Sequence, residues 1–169
     1  MMNGFTESGI TLNFPDTRWF RFQDLDVYKQ LSGFNFKEMD ACWYDTRQDK
    51  LYLIELKDFN DDDIKNKKNA TNRIDNLIKK SLDSLQMILS YQQSRPLGAQ
   101  LLQSNQIKVT QDTTLLFVSI LNVLQSQEPD LSFIRERFKS KFRAYEKLFD
   151  LKSTVMSYTK AKSNFDFVI

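Results

Sequence analysis

Histidine is absent from this chain of 169 residues. That excludes Ser-His-Asp and Cys-His catalysis, histidine metal sites and imidazole acid–base work. One cysteine, Cys42, leaves no internal disulfide and no Cys-rich zinc site, and it fits a reducing compartment. Four glycines and three prolines exclude collagen-like and Gly/Pro linker sequence, and they leave little room for a glycine-built cofactor loop. The strongest apolar run, Leu115 to Leu124, is shorter than the roughly 20 residues of a membrane helix. The stretch MMNGFTESGITLNFP has no basic region followed by an apolar one, so no secretory signal is expected. The expectation is a cytoplasmic protein without a membrane role. Its chemistry has to use carboxylates, lysines, hydroxyls or a bound hard metal ion.

Hydrophobic residues make up 41% of the chain and charged residues 27%, which is a globular composition. Fourteen Phe, six Tyr and two Trp supply bulky core material. With no internal repeat or composition break, residues 1–169 read as a single domain.

Residues 8–23 suggest two short strands about a turn at Pro15-Asp16. Residues 24–33 read as a connector or one helical turn ended by Gly33. The segments 34–45 and 50–59 form the clearest strand pair, a hairpin across TRQDK. The polar stretch from Asp61 to Asn72 reads as a surface loop. Ile74, Leu77, Ile78, Leu82, Leu85 and Leu89 recur at three- and four-residue steps, which predicts an amphipathic helix over 73–93, stopped by Arg95-Pro96-Leu97-Gly98. Residues 113–124 predict a strand covered on both faces. A second long helix follows Pro129-Asp130, with Ile134, Phe138, Phe142, Tyr145 and Phe149 as its apolar stripe. The ending SNFDFVI alternates like an edge strand. This order predicts an α/β domain, a mixed sheet with helices packed on it.

The chemically informative segment is Asp40 to Lys57. If the hairpin turns symmetrically about residues 45–50, Asp40 lies opposite Glu55 and Glu38 opposite Lys57. Strand alternation then brings all four side chains to one face. A one-residue slip separates them. Three carboxylates so close repel and lose hydration, a cost that a hard divalent cation removes. In LYLIELK both faces begin apolar, so the strand is expected to be buried and the charges at its end to need a partner.

Asp40, the turn, and Ile54-Glu55-Leu56-Lys57 ending an apolar strand together resemble the PD-(D/E)xK nuclease superfamily. The resemblance covers roughly residues 34–124. It implies a restriction-endonuclease-like mixed central sheet flanked by helices, with Asp40 and Glu55 binding Mg²⁺ or Mn²⁺. It also implies that the Leu56 backbone carbonyl is a further ligand and that Lys57 is catalytic. Met39 stands where the family name has proline. The chain opens with strands where many members have an acidic helix, so Glu7 or Glu38 is a candidate for that missing acid.

Six basic residues between 65 and 80 (Lys65, Lys67, Lys68, Arg73, Lys79, Lys80) stand against one acid, Asp75. Between 132 and 149 there are six more, Arg135, Arg137, Lys139, Lys141, Arg143 and Lys147, against Glu136 and Glu146. The stretch 55–63 is acidic, with five acids against Lys57. An acidic centre with basic flanks suits phosphodiester chemistry, although both basic sets also read as solvated helix faces. Lys79 or Lys80 is a candidate phosphate contact. Asp24 and Asp26 suit a turn, Cys42 a core position, and Trp19, Trp43 and Tyr44 either packing or base stacking. The expected function is metal-dependent hydrolysis of DNA, less readily RNA, by a homodimer or with a targeting partner. The rival expectations are an inactive nuclease-fold module that binds nucleic acid or protein, and a small interaction protein with no nucleic-acid role.

Overall fold

A five-stranded mixed sheet organises the protein. The structure is a computed structural model that describes residues 3–59, 66–102 and 107–169. The acidic run Asp61–Asp63, Lys65 and the side chain of Lys67 lie outside the described residues.

The strands are β1 (Gly4–Glu7), β2 (Ile10–Asn13), β3 (Trp19–Phe20), β4 (Ala41–Asp45), β5 (Lys50–Asp58), β6 (Thr114–Asn122) and β7 (Lys152–Ser157). The helices are α1 (Asp26–Ser32), α2 (Lys67–Gln92), α3 (Leu131–Phe149) and α4 (Tyr158–Asn164). The main sheet runs β3-β4-β5-β6-β7. Its first three strands are antiparallel neighbours, while β5, β6 and β7 are parallel. Parallel pairing requires crossovers, and α2 and α3 supply them.

The expected hairpin register holds. Ala41 pairs with Ile54, Trp43 with Tyr52 and Asp45 with Lys50. Side chains on β5 then divide as alternation requires. Leu51 and Leu53 enter a core with α2 and α3 that includes Ile74, Leu77, Phe117, Ile134, Phe138 and Phe142. Tyr52, Ile54 and Leu56 enter a second core with β1–β2, α4 and the chain end, which includes Leu12, Phe14, Trp43 and Phe167. Strand β6 is covered on both faces, with Phe117 and Leu121 on one and Val118 and Ile120 on the other.

Several elements differ from the sequence expectation. The first hairpin is β1–β2, turning at Ser8-Gly9 and not at Pro15-Asp16. Both turn residues have positive φ, 54° and 72°, the combination a tight two-residue hairpin turn needs. Helix α2 begins six residues earlier than its apolar pattern, at Lys67, because the Asn66 side chain accepts hydrogen bonds from the Lys68 and Asn69 amides. Strand β7 was not expected. The ending is helix α4 and a tail that touches β2 through one bridge, Leu12 to Val168, and not an edge strand. Phe149, assigned to the α3 stripe, is 39% exposed at the helix end. No helix among the described residues is long and apolar enough to cross a membrane.

Candidate active site

Residues 34–40, read as strand, are instead a loop that docks on α2. The Lys37 amide donates to Asp83 Oδ2 at 2.9 Å and the Met39 amide to Ser84 Oγ at 2.9 Å. Both acceptors are buried polar residues in the apolar stripe of α2. Tyr28 on α1 donates from its hydroxyl to the Phe36 carbonyl at 3.0 Å. Arg21 Nε donates to the Asp40 carbonyl at 3.1 Å, and its guanidinium pairs with Glu7. Asp40 is thereby fixed one residue before β4.

The register then places Asp40 beside Glu55. Asp40 Oδ2 accepts the Leu56 amide at 2.7 Å. Glu55 lies on the α2 face of β5 and is only 1% exposed. Lys57, two residues on, brings Nζ to 3.2 Å from Glu55 Oε1. From α2, Lys80 Nζ donates to Asp40 Oδ1 at 3.1 Å and to the two Glu55 oxygens at 2.7 and 2.9 Å. A carboxylate from the loop before β4 and one from β5 thus meet on one ammonium.

Burial and the nearby Asp40 charge raise the Glu55 carboxyl from its ordinary 4.5 to about 8, against the opposing pull of Lys80 and Lys57. Burial alone would lower Lys80, but Glu55 and Asp40 outweigh it and hold the ammonium above its ordinary value. The two carboxylates are therefore crowded even with two lysines beside them.

The remaining candidates take other positions. Glu38 is not the third converging acid: its carboxylate turns to the Tyr28 hydroxyl. Burial raises it, and it is close enough to feel Lys80, Asp40 and Arg21. The cause is that 34–40 is loop, so strand alternation does not govern Glu38. Glu7 meets Arg21, one link from the Asp40 backbone, and not the carboxylates. The Leu56 carbonyl accepts from Ser8 Oγ at 3.2 Å, in the β1–β2 turn. Lys79 pairs with Asp83 at 2.7 Å. Asp26 pairs with Lys29 at 2.7 Å. Cys42 is fully buried, and burial pushes its thiol well up. Trp19 stacks on Phe5 and Phe14, Trp43 stacks on Phe14 and Tyr52, and Tyr44 donates to Asp49 at 2.9 Å. Part of the basic charge is internally engaged, since Lys141 pairs with Asp75 and Arg135 donates to the Val155 carbonyl at 3.0 Å.

Sequence reasoning missed Arg21, Ser8, Asp83 and Ser84. Asp83 and Ser84 did carry a signal, as polar residues among the apolar positions of an amphipathic helix. Arg21 and Ser8 carried none, because long-range packing of the first hairpin places them.

The donor set fits a hard divalent cation. Carboxylate oxygens from Asp40 and Glu55 converge on one positive atom, and Mg²⁺ needs only one or two carboxylates with waters. Among the described residues no group of three Asp, Glu, Cys or His side chains forms a metal cluster. No family model, curated protein or solved structure matches this chain.

Proposed function

We propose that this protein is a divalent-cation-dependent nuclease with a restriction-endonuclease-like core, acting on DNA in preference to RNA. The observation that carries the reading is the meeting of Asp40 and Glu55 on a single cationic atom beside Lys57. Burying a carboxylate against a second carboxylate costs stability, and such perturbed groups concentrate at functional sites. The order β3, β4, β5, α2, β6, with β5 antiparallel to β4 and parallel to β6, supports the family reading.

In this reading Asp40 and Glu55 hold Mg²⁺ or Mn²⁺, with the Leu56 carbonyl alongside. A bound ion of this kind lowers the pKa of water and offsets charge on a phosphoryl group. Lys57 Nζ hydrogen-bonds the attacking water or a phosphodiester oxygen and offsets negative charge as it develops there. Arg21 and Ser84 keep the Asp40 loop in place. The exposed lysines and arginines of α3 bind the substrate backbone. A homodimer or a targeting partner supplies specificity, and the lone cysteine supports a cytoplasmic setting.

A second reading is favoured by Lys80, which already pairs with both carboxylates. In it the fold is an inactive module that binds nucleic acid or a protein partner. The two separate on incubation with plasmid, linear and single-stranded DNA and with RNA, in Mg²⁺ or Mn²⁺ and in chelator. The nuclease reading expects DNA cleavage that stops in chelator and in Asp40→Ala and Lys57→Ala. A folded wild type that binds DNA but cuts none of these substrates favours the second reading.

A further inference from the structure

Lys80 reaches the Asp40–Glu55 pair from a different element, and three carboxylate oxygens lie within 3.1 Å of its Nζ. We propose that Lys80 is a tethered cation that holds the two carboxylates in the ion-free protein and is exchanged for a divalent ion when one binds. The proposal rests on Asp40 and Glu55 being the cation site.

Three observations carry it. The first is space. Mg²⁺ lies about 2.0–2.1 Å from its oxygen ligands, so an ion bridging the same oxygens meets Nζ. The second is charge. Asp40 and Glu55 stand against Lys57 and Lys80, a formally neutral set. A divalent ion adds two positive charges to that set unless an ammonium leaves. The third is freedom to move. The Lys80 ammonium rides on a flexible four-carbon stem and its side chain is 17% exposed, whereas α2 itself is fixed by the loop contacts at Asp83 and Ser84. The head group can leave without the helix moving. A lysine serving only as a structural clamp would instead remain on the carboxylates and exclude the ion.

The test is calorimetric titration of the full chain with Mn²⁺ at pH 8.5, where protons compete less for the carboxylates. Wild type is compared with Lys80→Gln, Lys80→Arg and Asp40→Asn. Exchange predicts that Lys80→Gln binds Mn²⁺ at least about tenfold more tightly than wild type, because one competing charge is gone. Lys80→Arg keeps the charge and stays near wild type. Binding by folded Lys80→Gln that is no tighter than wild type overturns the proposal. If Asp40→Asn leaves wild-type binding unchanged, or if no variant binds Mn²⁺, the cation-site reading itself fails and the exchange with it. A second measurement needs no Lys80 variant. Acylation of Lys80, read by peptide mass spectrometry, rises when Mn²⁺ is added to wild type and not in Asp40→Asn. Unchanged acylation in a wild type that binds Mn²⁺ contradicts exchange.

Discussion

Glu55 is the residue at which stability and the proposed function oppose each other. It is almost fully buried at the end of an apolar strand, beside Asp40, and its carboxyl is raised to about 8. A raised carboxyl binds its proton more tightly in the folded chain than in the unfolded one. The stability it lends is complete below the ordinary value of 4.5 and is lost as pH rises through about 8. One group of this kind gives a slope of up to about 1.4 kcal/mol per pH unit. Chemical denaturation without divalent ions should therefore show wild type weakening from pH 5 to pH 8. Glu55→Gln should flatten that slope and be the more stable protein at pH 8. A wild-type curve that is flat, or that rises over this range, contradicts the crowding of the two carboxylates. The approach of Asp40 to Glu55 was legible in the sequence because hairpin register is a short-range rule, and that of Lys57 because alternation along β5 puts it on the face of Glu55. The position of Lys80 was not, since it depends on how α2 is rotated as it packs on the sheet.

At the scale of elements, the β4–β5 hairpin and the loop before it create the site together. The hairpin sets which residues are opposite, and α2 sets the height of the loop through Ser84 and Asp83. Met39 is fully buried, so removing its acceptor leaves an unsatisfied amide. Ser84→Ala should cost about 1–3 kcal/mol in denaturant unfolding. It should also lower cleavage by displacing Asp40, and Ser84→Thr should restore both. Full activity of Ser84→Ala would show that the loop holds its position by other means. Element existence was legible wherever the apolar period was long, as in β5, β6, α2 and α3. The first hairpin was misread because Pro15-Asp16 is a common turn signal, while the turn residues are Ser8-Gly9. Strand β7, KSTVMS, escaped notice because its burial comes from parallel pairing with β6 and not from its own weak alternation.

For the whole molecule, the two helices on one sheet face hold 11 basic residues against four acidic ones, while the chain as a whole is only +2. On α3 the exposed Lys139, Arg143 and Lys147 follow one another at four-residue steps, on one side of the helix. Replacing all three by Gln should weaken DNA binding. It should also make binding less steep in salt, by about 0.7–0.9 in log–log slope for each phosphate that is no longer neutralised. An unchanged slope would show that this stripe is a solvated face only. The mixed α/β class was legible from the order of periodic segments. The division of the core into two layers, one with α2 and α3 and one with β1–β2, α4 and the tail, was not, because the tail reads locally as a strand.

The central claim is that Asp40 and Glu55 form a cation site that cuts phosphodiesters. It is tested most directly by nicking of supercoiled plasmid in Mg²⁺ or Mn²⁺, with wild type and Asp40→Asn run side by side after their folding is checked by thermal melting. The account predicts that wild type nicks the plasmid only with the ion present and that a folded Asp40→Asn does not. Equal nicking by the two proteins, or nicking by wild type that persists in chelator, would contradict it.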